Sequence, residues 1–344
     1  MKRFVEWIKF HQVASFIILT FGFSWIFFML SFLVFKGNLL IQALCGKIAV
    51  FGPALIVMLI SAISYSEPKL RPSKIRWWIF SVVWLFSWII LVSYVTLVRN
   101  VPLQVNVCLV FGVCALLPTW IITASLSTVP GIRLAFSTFL NPRGSFVWYL
   151  VAFLGYPIIL LISVLITKLS GNSVSFPNLS LSQAFIFPLL MFLEGFLASG
   201  GVNEESGWRG FLLPRLQAKY SVIIASIIVW FFWSLWHLPL DIMQRIPMQQ
   251  ILLNRLIFNF LASVLFVWVY NRTRGSILAP AIFHASMNTA GAFIPASLTF
   301  LIPLVLLCIV AFIDGRMWKR LPPDHSAVYK ESLTKDPPNN KQYF

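Results

Sequence analysis

The chain has 344 residues, of which 59% are apolar and only 10% charged, against roughly 45–50% and about 25% in an ordinary soluble domain. A water-soluble fold of this length cannot hide so much apolar surface, whereas a bilayer serves as its solvent. The formal charge of +16 does not indicate nucleic-acid binding, because Lys and Arg lie in short clusters between apolar runs, as topology signals do.

A span needs about 20 apolar residues at 1.5 Å rise each. Ten runs qualify or nearly so: 12–35, 43–64, 77–98, 104–128, 146–167, 183–200, 221–240, 251–270, 276–290 and 292–314. The first is longer than a signal-peptide core and no small-residue cleavage pattern follows it, so it reads as a retained span. Proline and glycine interrupt several others, and the expectation is an all-α, polytopic transmembrane helical bundle of eight to ten spans. Cys45, Cys108, Cys114 and Cys308 fall within apolar runs without C-x-x-C spacing, which suits small apolar fillers and neither a disulfide framework nor a thiolate zinc site.

Charge orients the spans. Lys2, Arg3 and Lys9, the 69–76 cluster, Arg133 with Arg143, Arg209 with Arg215 and Lys219, and Arg272 with Arg274 alternate with sparser loops carrying Lys36, Lys47, Arg99, Lys168, Arg245 and Arg255. The asymmetry predicts both termini in the cytoplasm. Three regions result: scaffold spans over 1–180, a transmembrane core over 181–314, and a disordered cytoplasmic tail over 315–344, polar and holding Pro322-Pro323 and Pro337-Pro338.

Ionisable groups inside a membrane are costly and mark function. Residues 1–190 offer almost none, while the next hundred hold Glu194, Glu204, Glu205, Arg209, His237, Asp241 and His284. Gly200-Gly201 breaks the preceding span, and Asn203 is expected to cap a new helix. On that helix Glu205 and Arg209, four apart, form a structural ion pair, and Glu204, about 100° away, stays free. His237 lies in Trp233-Ser234-Leu235-Trp236-His237, and His284 and Asn288 share one face of a later helix. Taken singly, each is readily a charged cap, a packed histidine or an interhelical hydrogen-bonding pair. Together they supply a carboxylate, two imidazoles and an amide, enough to activate water and hold an oxyanion. Glu204 with His237 would activate the water, and His284 with Asn288 would hold the oxyanion. A divalent metal on Glu204, His237 and His284 is the alternative.

The order E-E-x-x-x-R, aromatic-x-x-x-H, H-x-x-x-N resembles the CAAX prenyl endopeptidase family, which includes the bacterial CPBP proteins and, among them, bacteriocin self-immunity proteins. The motifs fall on Glu204, Glu205 and Arg209, on His237 with Trp233 where Phe is usual, and on His284 and Asn288. The resemblance implies a helical bundle whose cavity opens to the cytoplasm, Glu204 as general base, catalytic or metal-binding His237 and His284, and Asn288 as oxyanion donor. The family is described both as metalloproteases and as glutamate-dependent peptidases, so Zn2+ or another divalent metal stays open as cofactor. An H-E-x-x-H helix is absent, which excludes the zincin arrangement. The expected partner is a membrane-associated peptide or protein substrate, with no nucleic acid, in a bacterial plasma membrane. A non-catalytic immunity or partner-binding protein needs the bundle but not the full Glu/His/His/Asn set. A transporter should show paired broken spans in its two halves, and the polar residues here sit in one half. Glu194 is expected to line a cavity or meet an Arg, and Asp241 and Asp314 to lie at span ends.

Overall fold

A computed structural model describes residues 2–65, 68–71, 73–295 and 297–322, and every regular element among them is helical. α1 (Lys2–Phe10) precedes α2 (Gln12–Met29), which continues through a π turn to Val34. α3 (Leu39–Val50) and α4 (Gly52–Ser64) meet at a 50° bend. Pro53 sits in the first turn of α4, where its missing N–H costs nothing but where the preceding helix cannot run on unbroken. α5 (Ile75–Ser93), α6 (Val105–Cys114), α7 (Leu116–Thr123) and the short α8 (Pro130–Phe136) lead to α9 (Phe146–Leu169).

The next span is broken. α10 (Leu181–Ala198) opens with a reciprocal cap, Gln183 N–H on Ser180 Oγ and Ser180 N–H on Gln183 Oε1. It gives way at Ser199-Gly200 to α11 (Gly201–Gly207), a π turn at Trp208–Leu212 and α12 (Leu213–Gln217). α13 (Val222–Met243), α14 (Met248–Leu252), α15 (Asn259–Arg272), α16 (Leu278–Phe293) and α17 (Leu301–Asp314) complete the bundle.

Seven helical segments are long and apolar enough to cross a membrane, or eight if the bent α3–α4 pair is one span. α16 has 16 residues and the run Leu298–Asp314 is also short, so the last two expected spans fall below full crossing length. The periphery fits lipid as solvent: Leu154, Ile158, Leu161 and Leu165 form an exposed stripe along α9 at helical spacing.

α16 packs on α9 and α10, and α11 is enclosed by α4, α10 and α16. A Cβ on Gly207 would stand 2.5 Å from Pro53 Cβ, so only glycine lets α11 lie this close to α4. The lysine- and arginine-rich loops gather at one end of the bundle. There Leu70 N–H donates to Thr128 O at 2.8 Å and Val222 N–H to Lys319 O at 3.1 Å. The expected tail therefore starts later than residue 315, because Met317 is buried and its carbonyl accepts from Ile223 N–H. Residues 323–344 of that tail lie outside the described residues.

Candidate active site

The break in the long span organises the site. Gly200 has φ +119°, a backbone conformation that favours glycine. A Cβ there would stand 2.4 Å from His284 Nε2, so the imidazole lies directly against the glycine backbone. α11 starts at Gly201, not after Asn203 as its cap potential suggested. Asn203 is instead the third helical residue and reaches back, its Oδ1 accepting Gly200 N–H at 2.9 Å. Its Nδ2 donates to Val50 O at 2.9 Å, a carbonyl freed by the α3–α4 bend. One bend thus braces the other.

The adjacent carboxylates diverge. Glu205 is wholly buried; its Oε1 accepts from Arg209 Nη1 at 2.9 Å and pairs with His284 Nδ1 at 2.8 Å. Arg209 is equally buried, and its guanidinium lies over Phe266 and Trp233, 4.0 and 4.6 Å from the ring centroids. Nε and Nη2 of Arg209 have no hydrogen-bond partner among the described residues, so the two ring faces meet the rest of its charge. The expected Glu205–Arg209 pair is present, and it also orients His284.

Glu204 faces α13. Its Oε2 accepts from Trp233 Nε1 at 2.6 Å and stands 3.8 Å from His237 Nε2. That separation is too long for a direct hydrogen bond and suits two groups sharing one water. His237 Nδ1 lies 2.7 Å from Trp233 O. A carbonyl only accepts, so Nδ1 carries the proton and Nε2 presents its lone pair toward Glu204. Trp233 stands between the histidines, edge-to-face with His237 at 5.5 Å and with His284 at 5.8 Å.

Asn288, one turn beyond His284, donates from Nδ2 to Ser199 O at 3.0 Å, leaving its second N–H free. Glu204, His237, His284 and Asn288 are therefore brought to one region around the Ser199–Glu205 turn. As a donor set, a carboxylate and two imidazoles suit a divalent metal. The geometry does not assemble them: among the described residues no three His, Cys, Asp or Glu side chains converge as a ligand group. His284 lies against Gly200, and one oxygen of Glu204 is held by Trp233.

Three contributors were not evident as such. Trp233, read as an aromatic wall, is a hydrogen-bond donor to Glu204. Ser199 supplies the carbonyl that holds Asn288. Lys47, placed in an outer loop by charge counting, lies within α3 with its side chain 18% exposed, and its Nζ meets Glu194 Oε1 at 2.5 Å and Ser199 Oγ at 3.0 Å. Glu194 thus lines a cavity and pairs with a lysine, not an arginine. Asp241 takes a two-point bond from Arg255, at 2.7 and 2.6 Å, and Asp314 pairs with Arg272.

A cavity of about 480 Å³ adjoins this turn, walled by Val50, Glu194, Ser199 and Leu240 and running out past Gln42, Arg99 and Gln244. Arg215 is not among the residues that line it. The segment that leads to Arg215 is well packed: Trp208, Phe211, Leu212 and Leu213 are at most 1% exposed.

Residues 182–290 match the family model described as Type II CAAX prenyl endopeptidase Rce1-like. CAAX prenyl protease 2 of Methanococcus maripaludis is 36% identical over 150 residues, 40% of this chain and 53% of the relative, so the chain spans about half the length of the curated relative it matches. The matched region holds Glu204, Glu205, Arg209, His237, His284 and Asn288 in the motif order, and over it the chain is similar to the CAAX prenyl endopeptidase family.

Proposed function

We propose that the protein is a membrane-embedded endopeptidase that hydrolyses a peptide bond in a membrane-associated peptide or protein. The observation that carries this reading is the facing pair Glu204 Oε2 and His237 Nε2, 3.8 Å apart, with the histidine tautomer fixed by Trp233 O. A water between them donates one hydrogen to each. Glu204 takes a proton as the water oxygen attacks the carbonyl carbon, and the oxyanion receives the free N–H of Asn288. His284, bonded through Nδ1 to Glu205, donates from Nε2 when it carries both protons. The proton then passes to the departing nitrogen as the C–N bond breaks, giving a carboxylic acid and an amine. No step is routed through a metal, because the three candidate ligands do not converge.

The family name and the relative's name point to peptides ending in a CAAX sequence as the first substrates to try, beside unmodified membrane-segment peptides. The protein resides in a membrane as a multi-pass chain, and the charge pattern supports cytoplasmic termini. The test is cleavage by purified wild type and Glu204→Gln in detergent, with and without a chelator. The expected result is cleavage that survives chelation and falls about 10²–10⁴-fold in Glu204→Gln, the usual worth of a general base. Undiminished cleavage by Glu204→Gln removes the base assignment, and cleavage abolished by the chelator and restored by Zn2+ replaces the scheme with a metal-dependent one.

A further inference from the structure

α9 lies outside residues 182–290, the span of the family match, yet it runs beside α16 in the same direction and meets its chain at three depths. Near the start of α9, Tyr149 OH stands 2.9 Å from Ser276 Oγ. Near its end, Thr167 Oγ1 stands 2.8 Å from both Ser297 Oγ and Thr299 Oγ1. Between these, Ser286 Oγ donates to Phe153 O at 2.5 Å. That carbonyl is available because of Pro157, four residues on within α9: proline has no N–H with which to close the helical bond. Inside a bilayer a carbonyl left open in this way is costly, and a hydroxyl from a neighbouring helix restores its partner.

We infer that Ser286, seated on the carbonyl that Pro157 frees, is a positioning residue that sets the rotation of α16 and so aims His284 and Asn288 at the Ser199–Glu205 turn. This rests on the peptidase reading above. Residues two apart on a helix point about 200° apart, so Ser286 lies on the face opposite both His284 and Asn288. Those two meet Glu205 Oε1 and Ser199 O, and both serve the oxyanion during the reaction. The Ser286 bond lies behind them and takes no part in it. The flank of α16 toward α10 is smooth: Ala285 rests against Gly195, a small-residue contact that fixes distance and leaves the angle free. A helix with its side chains has a radius of about 5–6 Å, so a turn of about 10° displaces the Asn288 amide by about 1 Å. A misplacement of that size can cost on the order of 10²-fold in rate.

The test separates aim from stability. Ser286→Ala should lower kcat by about 10- to 10²-fold with KM little changed, and should lower the midpoint of unfolding in SDS because Phe153 O is stranded. In Pro157→Ala the new N–H supplies that carbonyl, so adding Ser286→Ala there should no longer lower the midpoint, which keeps the double variant folded for assay. The loss of kcat should persist in it. Recovery of kcat together with stability overturns the inference, because the bond then serves the fold alone; so does a Ser286→Ala chain with the kcat of wild type. Rotation is read without substrate. A Cβ on Gly195 stands 3.7 Å from Ala285 Cβ, within the roughly 3.5–4.5 Å of a disulfide. Gly195→Cys with Ala285→Cys should therefore cross-link on oxidation, and at least about threefold more slowly once Ser286→Ala is added. An unchanged rate overturns the inference whatever the kinetics show. A wild type that cleaves none of the peptides removes the peptidase reading, and the cross-link still decides whether Ser286 sets the rotation.

Discussion

Lys47 lies outside the matched region, yet its amine bonds three groups at the break in the α10–α12 span: Glu194 Oε1 at 2.5 Å, Ala198 O at 3.2 Å and Ser199 Oγ at 3.0 Å. Lys47→Met keeps the length of the stem and removes the charge. Glu194, its side chain 6% exposed, would then keep the Ser199 hydroxyl, at 2.7 Å, as its hydrogen-bond donor. Removing one partner of a buried pair costs about 3–5 kcal/mol, because the other charge is left unpaired. The cavity beside Glu194 admits water, which puts the expected loss near the lower bound, about 3 kcal/mol. Lys47→Met with Glu194→Gln removes both charges and should recover about 2 kcal/mol of that loss as coupling in a double-mutant cycle. Reversible unfolding in mixed detergent and SDS micelles measures the cycle. Cleavage adds a second readout: Ser199 also holds Asn288, so kcat should fall by about tenfold in the single variant while KM changes little. A single variant as stable as wild type, with additive effects in the cycle, would refute the reasoning.

Gly200→Ala forces a side chain into φ +119° and toward His284 Nε2; a loss of about 1–3 kcal/mol is expected from backbone strain alone, read by the same unfolding assay. Trp233→Phe, the aromatic usual in the family, retains a ring beneath Arg209 but removes the N–H on Glu204. Cleavage should fall by about tenfold with the pH–rate profile displaced, and an unchanged profile would deny Trp233 any influence on the base. Arg209→Lys replaces a flat cation stacked on Phe266 and Trp233 by a compact one, and should cost about 2 kcal/mol; stability equal to wild type would show that the rings do not hold the guanidinium.

What the sequence conveyed was decided by how local each signal is. Spans show through because length and apolarity are properties of one segment, and the Glu205–Arg209 pair because four residues on a helix are neighbours. Lys47 was misplaced for the opposite reason. Its position near the start of an apolar run looked like a loop charge, and its partners are 147 and 152 residues away. Asn203 had the right chemistry for a cap, but glycine at 200 could take the strained backbone and start the helix two residues before it.

The adjacency of Glu204 and Glu205 explains why so much depends on one short turn. Successive helical residues point about 100° apart, so the two carboxylates cannot serve one partner set. Glu205 is turned inward, where Arg209, fixed between two rings, offsets its charge, and its bond to His284 sets that ring. Glu204 is turned toward α13 with a single indole N–H, leaving capacity for a water shared with His237. The same backbone break sends Ser199 O to Asn288, Ser199 Oγ to Lys47 and Gly200 against His284. Three groups from α3 and α16 are thus positioned by two consecutive residues before any substrate arrives, which is the preorganisation that electrostatic stabilisation of an oxyanion requires. It also follows that loosening this turn from a distance, as at Lys47, should impair the chemical step more than substrate binding.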